Sequence, residues 1–298
     1  MPVRVVRGRS EGPILFLSAA IHGDEINGVE IIRRILRLKS LAKLRGTLIA
    51  VPVVNVFGFL AHSRYLPDRR DLNRSFPGLQ RGTLAARVAD IFMREIVEKS
   101  THGIDLHTGS KRRANLPHVR VRFEDRESKR LAIAFGAPVV LNAACRKGSL
   151  REAVTAAGMP FIVYEGGEDL RFDEWAIRSG LRGIKEVMHS LGMLPGEPSE
   201  KRPFLAKSSK WVRAPGGGIF RSATPIGARV RRGQIVGSIG DPFGENQLEV
   251  HAPTSGIVIG KNMLPLVNEG DQLYHVARVK ARPDDEDPVA ELLAELSS

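Results

Sequence analysis

Three side chains whose chemistry suits a metal ion lie at the ends of two predicted strands. His22 and Glu25 follow an apolar run at residues 14–19, and His107 follows a shorter run at residues 103–106. Strand carboxyl ends in an open α/β sheet meet at one edge, so we expect these side chains to lie close together. Two imidazoles and a carboxylate with an open position are typical of catalytic zinc, whereas structural zinc takes four protein ligands. The pattern predicts one Zn²⁺ per chain.

A simpler interpretation also fits the first two of these residues. Glu25 could cap a helix N-terminus, with His22 as a polar loop residue. His107 favours the metal interpretation because it delivers a third ligand to the same edge. Asp105 lies two residues earlier on the same side of the strand. A carboxylate there can accept the second ring N–H of the histidine and fix its orientation.

A further carboxylate has the position of a catalytic base. Glu165 follows the apolar run at residues 161–164 and precedes two glycines. A carboxylate beside an activated water can accept its proton and return it to a leaving amine. Glu168 is the alternative base, but a solvated carboxylate is expected beyond the glycines. We therefore assign the role of base to Glu165.

The segment at residues 55–82 has no clean periodicity, and a loop of that length in a compact domain is usually functional or flexible. It carries Asp71, Asn73 and Arg74 in close succession. Arginine presents planar paired donors that match a carboxylate, and asparagine adds a neighbouring donor. Zinc, base and carboxylate clamp together predict hydrolysis of an amide next to a free carboxylate.

These side chains have to be positioned by alternating strands and helices, a pattern typical of an α/β sheet covered on both faces. The predicted strands are residues 14–19, 47–53, 103–106, 138–141 and 161–164. The predicted helices are residues 25–39, 83–98, 150–157 and 174–191.

The sequence pattern changes after the linker at residues 194–203. Between residues 211 and 279, short β-like runs alternate with glycine-rich turns, which predicts a small all-β sandwich or barrel. Its His251 and His275 are interpreted as barrel histidines that need no metal. The predicted domains are a zinc hydrolase domain at 1–194, a β-barrel domain at 205–280 and an acidic tail or helix at 281–298.

Composition excludes several classes of protein. The chain has 298 residues, 42% of them hydrophobic, and a single cysteine, Cys145, so a disordered chain and a disulfide scaffold are both excluded. No apolar run approaches the roughly 20 residues of a membrane-spanning helix. No membrane association is expected, and cytoplasm is the default location.

The net charge of +12 permits several kinds of partner. The basic residues occur in short scattered groups, and only 6% of residues are aromatic, so the stacking platform of a nucleic-acid binder is absent from the sequence. We expect no nucleic-acid partner. Solvated surface charge or a cleft that attracts a small anionic or carboxylate-bearing substrate explains the balance. A homo-oligomer is the base-rate expectation.

Four motifs together resemble the succinylglutamate desuccinylase/aspartoacylase family, relatives of the zinc carboxypeptidases, and the resemblance covers nearly the whole chain in order. The resemblance implies a zinc-carboxypeptidase-like mixed sheet and a zinc-dependent deacylase. The motifs are His22-Gly-Asp-Glu25, Asp71-Leu-Asn73-Arg74, Asp105-Leu-His107 and the strand-end Glu165.

The resemblance also implies residue roles. An arginine that polarises the scissile carbonyl and stabilises the oxyanion in this family is best matched by Arg64. The stretch from Arg64 to Asp71 is longer than in aspartoacylase, so Arg69 or Arg70 could take over, and Arg70 is counted among the substrate-binding candidates. The other implied roles are zinc ligation by His22, Glu25 and His107, proton transfer by Glu165 as base and then acid, and carboxylate binding by Asn73 and Arg74.

Two departures bear on the substrate. Aspartoacylase-like enzymes use a further arginine upstream of the base for the aspartate side chain. In this chain the segment just upstream, residues 155–158, contains no arginine, and Arg151 lies farther away. The segment from Pro67 to Gly78 looks more like that of bacterial family members of unsettled substrate, which include deacetylases of N-acyl diamino acids. The C-terminal segment resembles lipoyl and biotinyl domains, but residues 234–251 contain no lysine to carry a cofactor.

The sequence therefore predicts a zinc-dependent hydrolase that cleaves the amide of an N-acyl amino acid or related N-acyl amine. Two alternatives remain open. The same metal, base and clamp suit a carboxypeptidase-like peptidase that removes C-terminal residues, and a degenerate hydrolase could act as a non-catalytic basic binding protein.

Overall fold

The computed structural model describes residues 1–199 and 202–280, together with residues 289, 290, 292 and 294. The strands are β1 (Arg4–Arg7), β2 (Ser10–Ala19), β3 (Arg45–Val51), β4 (His102–His107), β5 (Arg113–Val121), β6 (Val139–Asn142), β7 (Phe161–Glu168), β8 (Phe204–Ala206), β9 (Ser208–Arg213), β10 (Gly218–Ser222), β11 (Arg229–Val230), β12 (Ile235–Gly240), β13 (Gln247–His251), β14 (Gly256–Asn262), β15 (Leu266–Val267) and β16 (Gln272–Arg278). The α-helices are α1 (Asn27–Ile35), α2 (Val56–Leu60), α3 (Leu84–Phe92), α4 (Arg126–Phe135), α5 (Leu150–Ala156) and α6 (Glu174–Ser190).

A parallel core positions the chemistry-bearing residues. β2 pairs in parallel with β3 and with β4, and β4 pairs in parallel with β7. The carboxyl ends of β2 and β4 therefore lie at one edge of the sheet, as the sequence predicts. Residues 15–19 of β2 and 103–107 of β4 are buried because both faces of the sheet are covered there.

Helices cover the two faces of the sheet. On one face, Ile31 of α1, Leu131 of α4 and Ile184 of α6 pack in one apolar core. On the other face, Phe92 of α3 and Val154 of α5 pack in a second. The predicted mixed α/β sheet with helices on both faces is confirmed.

Several elements differ from the sequence prediction. The helix expected at residues 25–39 is shorter, since α1 covers only Asn27–Ile35. The helix expected at residues 83–98 is α3 followed by a π-helical turn over Met93–Val97. β5 and α4 have no counterpart among the predicted elements. β7 continues past the expected end of its strand to Glu168.

The C-terminal strands do not form the closed barrel expected at residues 205–280. β14 pairs with β5 in an antiparallel register, so β14, β16 and β9 extend the large sheet. β10, β12, β13 and β15 form a second sheet of four strands. Val212, Phe220 and Tyr274 belong to the core between these C-terminal strands. The domain boundaries at residues 194 and 205 stay a prediction.

Two remaining expectations concern the chain's end and membranes. The acidic tail or helix predicted at residues 281–298 lies outside the described residues, apart from the helical residues 289, 290, 292 and 294. Within the described part of the chain, no helix has the length and apolar character needed to cross a membrane.

Candidate metal centre

The predicted ligands come together at the edge of the sheet. Ligand atoms of His22, Glu25 and His107 lie within 4.8 Å of one another, and all three residues are buried. The turn after β2 is closed by the Glu25 backbone N–H, which donates to the His22 carbonyl at 3.1 Å. Gly23 allows the backbone of Gly58 to lie close against this turn, because a Cβ there would lie 1.9 Å from the Gly58 carbonyl carbon. His107 is the last residue of β4.

The donor atoms in this cluster fit a cation. The Nδ1 atom of His22 is buried and has no hydrogen-bond partner among the described residues, although Oε1 of Glu25 lies 2.7 Å away. The Nδ1 atom of His107 lies 2.7 Å from Oε2 of the same glutamate. Two ring nitrogens and one carboxylate therefore face each other, and one of these nitrogens has no hydrogen-bond partner among the described residues. A metal ion bound by all three side chains would satisfy these atoms.

Electrostatics favour positive charge in the same place. Burial lowers the pKa of His107, but Asp105 and Glu25 outweigh it and hold the pKa well above its ordinary value. Burial also opposes the raised pKa of His22, which Glu25 and Asp71 bring about. Burial raises the pKa of Glu25, yet the two histidines hold it well below the usual range. A bound cation supplies the positive charge that this field favours.

Each histidine is oriented by a carboxylate on the far side of its ring. Nε2 of His107 lies 2.6 Å from Asp105 Oδ2, as the sequence predicts, and Ser18 Oγ donates to the other carboxylate oxygen at 2.7 Å. Nε2 of His22 lies 3.2 Å from Oδ1 of Asp71, a contact that sequence reasoning missed. These contacts leave the Nδ1 atom of each ring to face the metal position.

Replacing Asp105 by Ala is expected to lower metal affinity about 10- to 100-fold, because the His107 ring loses the partner that fixes its orientation. The measurement is competition with a chelator of known affinity, with circular dichroism to verify folding. Asp105→Asn is the matched control, since it keeps an acceptor oxygen and should lose less affinity. Wild-type affinity in Asp105→Ala would mean that packing alone orients the ring.

Asp71 links this cluster to the long loop. It accepts the Asn73 backbone N–H at 2.9 Å and so begins the 3₁₀ turn Leu72–Arg74. Its Oδ2 accepts from Arg64 at 3.0 Å, and Arg64 Nη1 donates to Oε1 of Glu25 at 3.1 Å. The loop therefore carries a cation directly beside the candidate ligands.

Glu165 lies in the middle of β7, not at a strand end, and β5 holds its carboxylate. Asn115 Nδ2 donates to Oε2 at 3.1 Å, and Arg120 Nη1 donates to Oε1 at 3.2 Å. The β5 register shifts between Asn115 and His118, and a bulge of this kind re-aims side chains next to a site. Sequence reasoning missed these contacts. The sequence feature that could have predicted these contacts is the alternation of polar residues along β5, which changes phase at Pro117.

One cavity of about 630 Å³ contains the ligand cluster, Glu165, Arg64, Asn73 and Arg74. Arg69, Arg70 and Glu168 are not among its lining residues. Of the three arginines proposed to polarise the carbonyl, the structure brings only Arg64 into the cavity.

The C-terminal strands close one side of this cavity. Trp211 of β9 and His275 of β16 both line it, and their rings stack with centroids 4.2 Å apart. Arg113 of β5 lies over the Trp211 ring at 5.1 Å. Burial first, and then the neighbouring His118 and Arg120, hold the pKa of His275 well below its ordinary value. His275 is therefore a neutral wall residue outside the ligand cluster.

Comparison with known proteins identifies the class. Residues 11–191 match the succinylglutamate desuccinylase/aspartoacylase catalytic domain. The N-alpha-acetyl-L-2,4-diaminobutyric acid deacetylase of Halomonas elongata is 29% identical over 296 residues, covering 94% of this chain and 86% of the relative.

Solved structures agree in fold. The succinylglutamate desuccinylase/aspartoacylase from Rhodobacter sphaeroides superposes with a TM-score of 0.85 at 26% identity, covering 94% of this chain and 90% of the other. The product-bound ectoine utilization protein EutE (DoeB) from Ruegeria pomeroyi also gives 0.85, at 27% identity, covering 94% and 89%.

Fold and site thus define an enzyme of the deacylase class, which hydrolyses amides. The chain belongs to the succinylglutamate desuccinylase/aspartoacylase family. The resemblance stated from the motifs is confirmed.

Proposed function

We propose that this protein is a zinc-dependent deacylase that hydrolyses the amide bond of an N-acyl amino acid or related N-acyl amine. The observation that carries the proposal is the buried Nδ1 of His22, which has no hydrogen-bond partner among the described residues, lies 2.7 Å from Glu25 Oε1 and shares one cavity with Glu165. His22, Glu25 and His107 would hold the metal. Zn²⁺ in such a site supplies Lewis acidity, which polarises a carbonyl and makes water nucleophilic at neutral pH.

Glu165 would carry the proton. It takes a proton from the attacking water as general base and delivers it to the amine nitrogen as the amide bond breaks. Asn115 and Arg120 hold its two carboxylate oxygens, so the orientation of the carboxylate is set before substrate arrives. Arg64 would place its positive charge where the carbonyl oxygen becomes anionic.

Asn73 and Arg74 would bind the carboxylate of the substrate. The Oδ1 atom of Asn73 accepts the Leu150 backbone N–H at 2.9 Å, which leaves the Nδ2 amino group to donate. Arg74 donates through Nη1 to the Asn73 carbonyl and is otherwise exposed. Both residues line the cavity, which supports a small carboxylate-bearing substrate as the partner.

Replacing Arg74 by Ala is expected to raise KM about 10-fold or more with a smaller change in kcat, because a charge-assisted hydrogen bond to the substrate is lost. Steady-state kinetics on an N-acetyl amino acid measures this. Arg81→Ala, an exposed residue of the same segment that does not line the cavity, is the matched control. An unchanged KM in Arg74→Ala would assign the carboxylate to another cation.

The proposal is tested by metal analysis and substrate screening together. We expect about one zinc per chain and release of free amine from Nα-acetyl amino acids. Faster cleavage of unblocked dipeptides than of N-acyl amino acids would favour the carboxypeptidase alternative. Zinc-free protein that binds anions without turnover, even after zinc is added back, would favour the basic binding protein.

A further inference from the structure

The cavity offers many hydrogen-bond donors and few free acceptors. Seven lysine or arginine side chains line it against four carboxylates. Three of the carboxylates contact the histidines of the ligand cluster, and the fourth, Glu165, accepts from Asn115 and Arg120. These donors suit the oxygen atoms of a substrate. The scissile amide of an N-acyl compound also carries an N–H, which needs an acceptor once it leaves water.

His118 of β5 provides an acceptor that no contact within the protein uses. Its side chain is only 2% exposed and lines the cavity. The Nδ1 atom lies 2.7 Å from the Leu116 carbonyl oxygen, which can only accept, so Nδ1 carries the proton and donates. The Nε2 atom of the neutral ring then has a lone pair, and it has no hydrogen-bond partner among the described residues.

The surroundings of His118 keep the ring neutral. Burial lowers the pKa of His118 below its ordinary value, and the opposing effect of Glu165 does not offset this. The positive charge of Arg120 lowers the pKa further. Because the ordinary value of about 6.5 is already below pH 7, the imidazole is uncharged at neutral pH. Nε2 therefore remains an acceptor under the conditions in which the proposed base is ionised.

The pairing of β5 with β7 sets His118 beside the proposed base. His118 and Glu165 are direct partners in the antiparallel register, and both side chains line the cavity. Side chains that are directly opposite on one face of such a pair have Cβ atoms about 4.5 to 5.5 Å apart. A substrate nitrogen within hydrogen-bond reach of Glu165 therefore also lies next to the His118 ring.

We infer that Nε2 of His118 accepts the N–H of the scissile amide, which makes His118 a specificity-determining residue that favours amides over esters. The inference rests on the proposed deacylase function and adds how the site recognises the bond that it cleaves. As the C–N bond breaks, the proton held by Glu165 passes to the lone pair of the nitrogen. The N–H already present on that nitrogen stays bound to His118, which neither gains nor loses a proton.

An ester lacks the group that His118 recognises. Its bridging oxygen carries lone pairs and no hydrogen, so the Nε2 lone pair would face another acceptor. The same atom therefore attracts the amide and repels the ester, and such a combination of attraction and repulsion is an effective source of specificity.

The test compares amides with matched esters on zinc-loaded wild type and His118→Phe. The pairs are N-acetyl-alanine with O-acetyl-lactate, N-acetyl-aspartate with O-acetyl-malate, and Nα-acetyl-2,4-diaminobutyrate with the O-acetyl ester of 4-amino-2-hydroxybutyrate. The pair whose amide wild type cleaves fastest is used. We expect His118→Phe to lower kcat/KM for the amide about 10- to 100-fold, because a desolvated N–H loses its acceptor, with little change for the ester.

Two further variants separate recognition from structure. His118→Gln should restore most of the amide selectivity, since its side-chain oxygen can reach the position of Nε2, and His118→Met serves if His118→Phe does not fold. His251→Phe is the control, because this exposed β13 histidine also contacts a carbonyl through Nδ1, that of Gly233, outside the cavity. Equal losses for amide and ester in the His118 variants, or unchanged amide kinetics, would overturn the inference and leave the deacylase intact.

A measurement without turnover distinguishes this failure from failure of the proposed function. In ¹⁵N NMR of the histidine side chains, assigned with His118→Gln, Nε2 of His118 should be unprotonated at pH 7. Its resonance should shift when the N-acetyl member of a pair binds to Glu165→Gln enzyme and shift less with the ester. A protonated Nε2, or equal shifts, would overturn the inference. The expected shifts without hydrolysis of any amide by wild type would overturn the deacylase and support the acceptor.

Discussion

Replacing Glu165 by Gln is expected to lower kcat by about 10² to 10⁴-fold while zinc content stays at its wild-type value. The amide keeps the shape of the side chain and can still contact Asn115, but it cannot accept a proton from water. Because Glu165 is outside the ligand cluster, the metal site should be unaffected. Single-turnover hydrolysis and elemental analysis on the same preparation measure both quantities.

Glu168→Gln is the matched control for this experiment. It makes the same change three residues farther along β7, at a side chain that does not line the cavity. Near wild-type kcat is expected there. A Glu165→Gln enzyme that retains most of its kcat would remove Glu165 from proton transfer, and loss of activity in Glu168→Gln alone would transfer the role to that residue.

Replacing His107 by Ala is expected to abolish stoichiometric zinc binding and, with it, all hydrolysis. The change removes one of the two ring nitrogens that face Glu25 and leaves Asp105 without its partner. A site with two remaining ligands should bind zinc at least about 100-fold more weakly. Equilibrium dialysis against buffered zinc gives the affinity, and added zinc should restore little activity.

His275→Ala is the control for His107→Ala. Both histidines line the cavity, but His275 stacks on Trp211 and stays outside the ligand cluster. Its replacement should keep about one zinc per chain. Full zinc occupancy in His107→Ala would contradict the ligand set, and zinc loss in His275→Ala would show that the C-terminal strands contribute a ligand.

The edge that carries the candidate ligands is predictable from local sequence. Apolar runs at residues 14–19 and 103–106 are typical of buried strands, and the polar residue that follows such a strand has to lie at the sheet edge. The parallel pairing of β2 with β4 confirms this part of the prediction. Local periodicity is enough to predict this edge, because each candidate ligand lies at or directly after the end of its strand.

β5 is not predicted by the same reasoning, because the alternation of its polar and apolar residues changes phase within the strand. Its polar residues occupy odd positions up to Asn115 and even positions from His118, with Pro117 between them. A proline inside an apolar run argues against a central strand, so the sequence pattern does not predict a strand in this segment. In the fold a bulge absorbs the extra residue, and both polar sets face Glu165 or the cavity.

The end of β7 is mispredicted for a related reason. Two glycines after Glu165 are typical of a turn, but here they meet a packing requirement. A Cβ on Gly167 would lie 2.3 Å from Asn27 Nδ2, and its φ of +81° suits glycine. Sequence patterns cannot distinguish a glycine needed for close approach from one needed for a turn, because the neighbour is distant in sequence.

The short β-strands predicted for the C-terminal segment are present, but the closed barrel is not confirmed, because these strands pair differently. Short strands separated by turns identify β structure, but the choice between a closed barrel and an extension of an existing sheet depends on which distant strand each one meets. β14 meets β5 at Ala114 and Asn115, more than a hundred residues earlier. Local patterning contains no information about that register.

The pairing of β5 with β14 has a consequence for protein engineering and for the evolution of such chains. β5 contributes Asn115 and Arg120 to the carboxylate of Glu165, and its other side is hydrogen-bonded to β14. β14 pairs with β16, which carries His275, and β16 pairs with β9, which carries Trp211. The C-terminal segment is therefore not an interchangeable cassette. Grafting it from a relative would change the support of the base and the wall of the cavity at once, so β5 and the C-terminal strands should be inherited or transplanted as one unit.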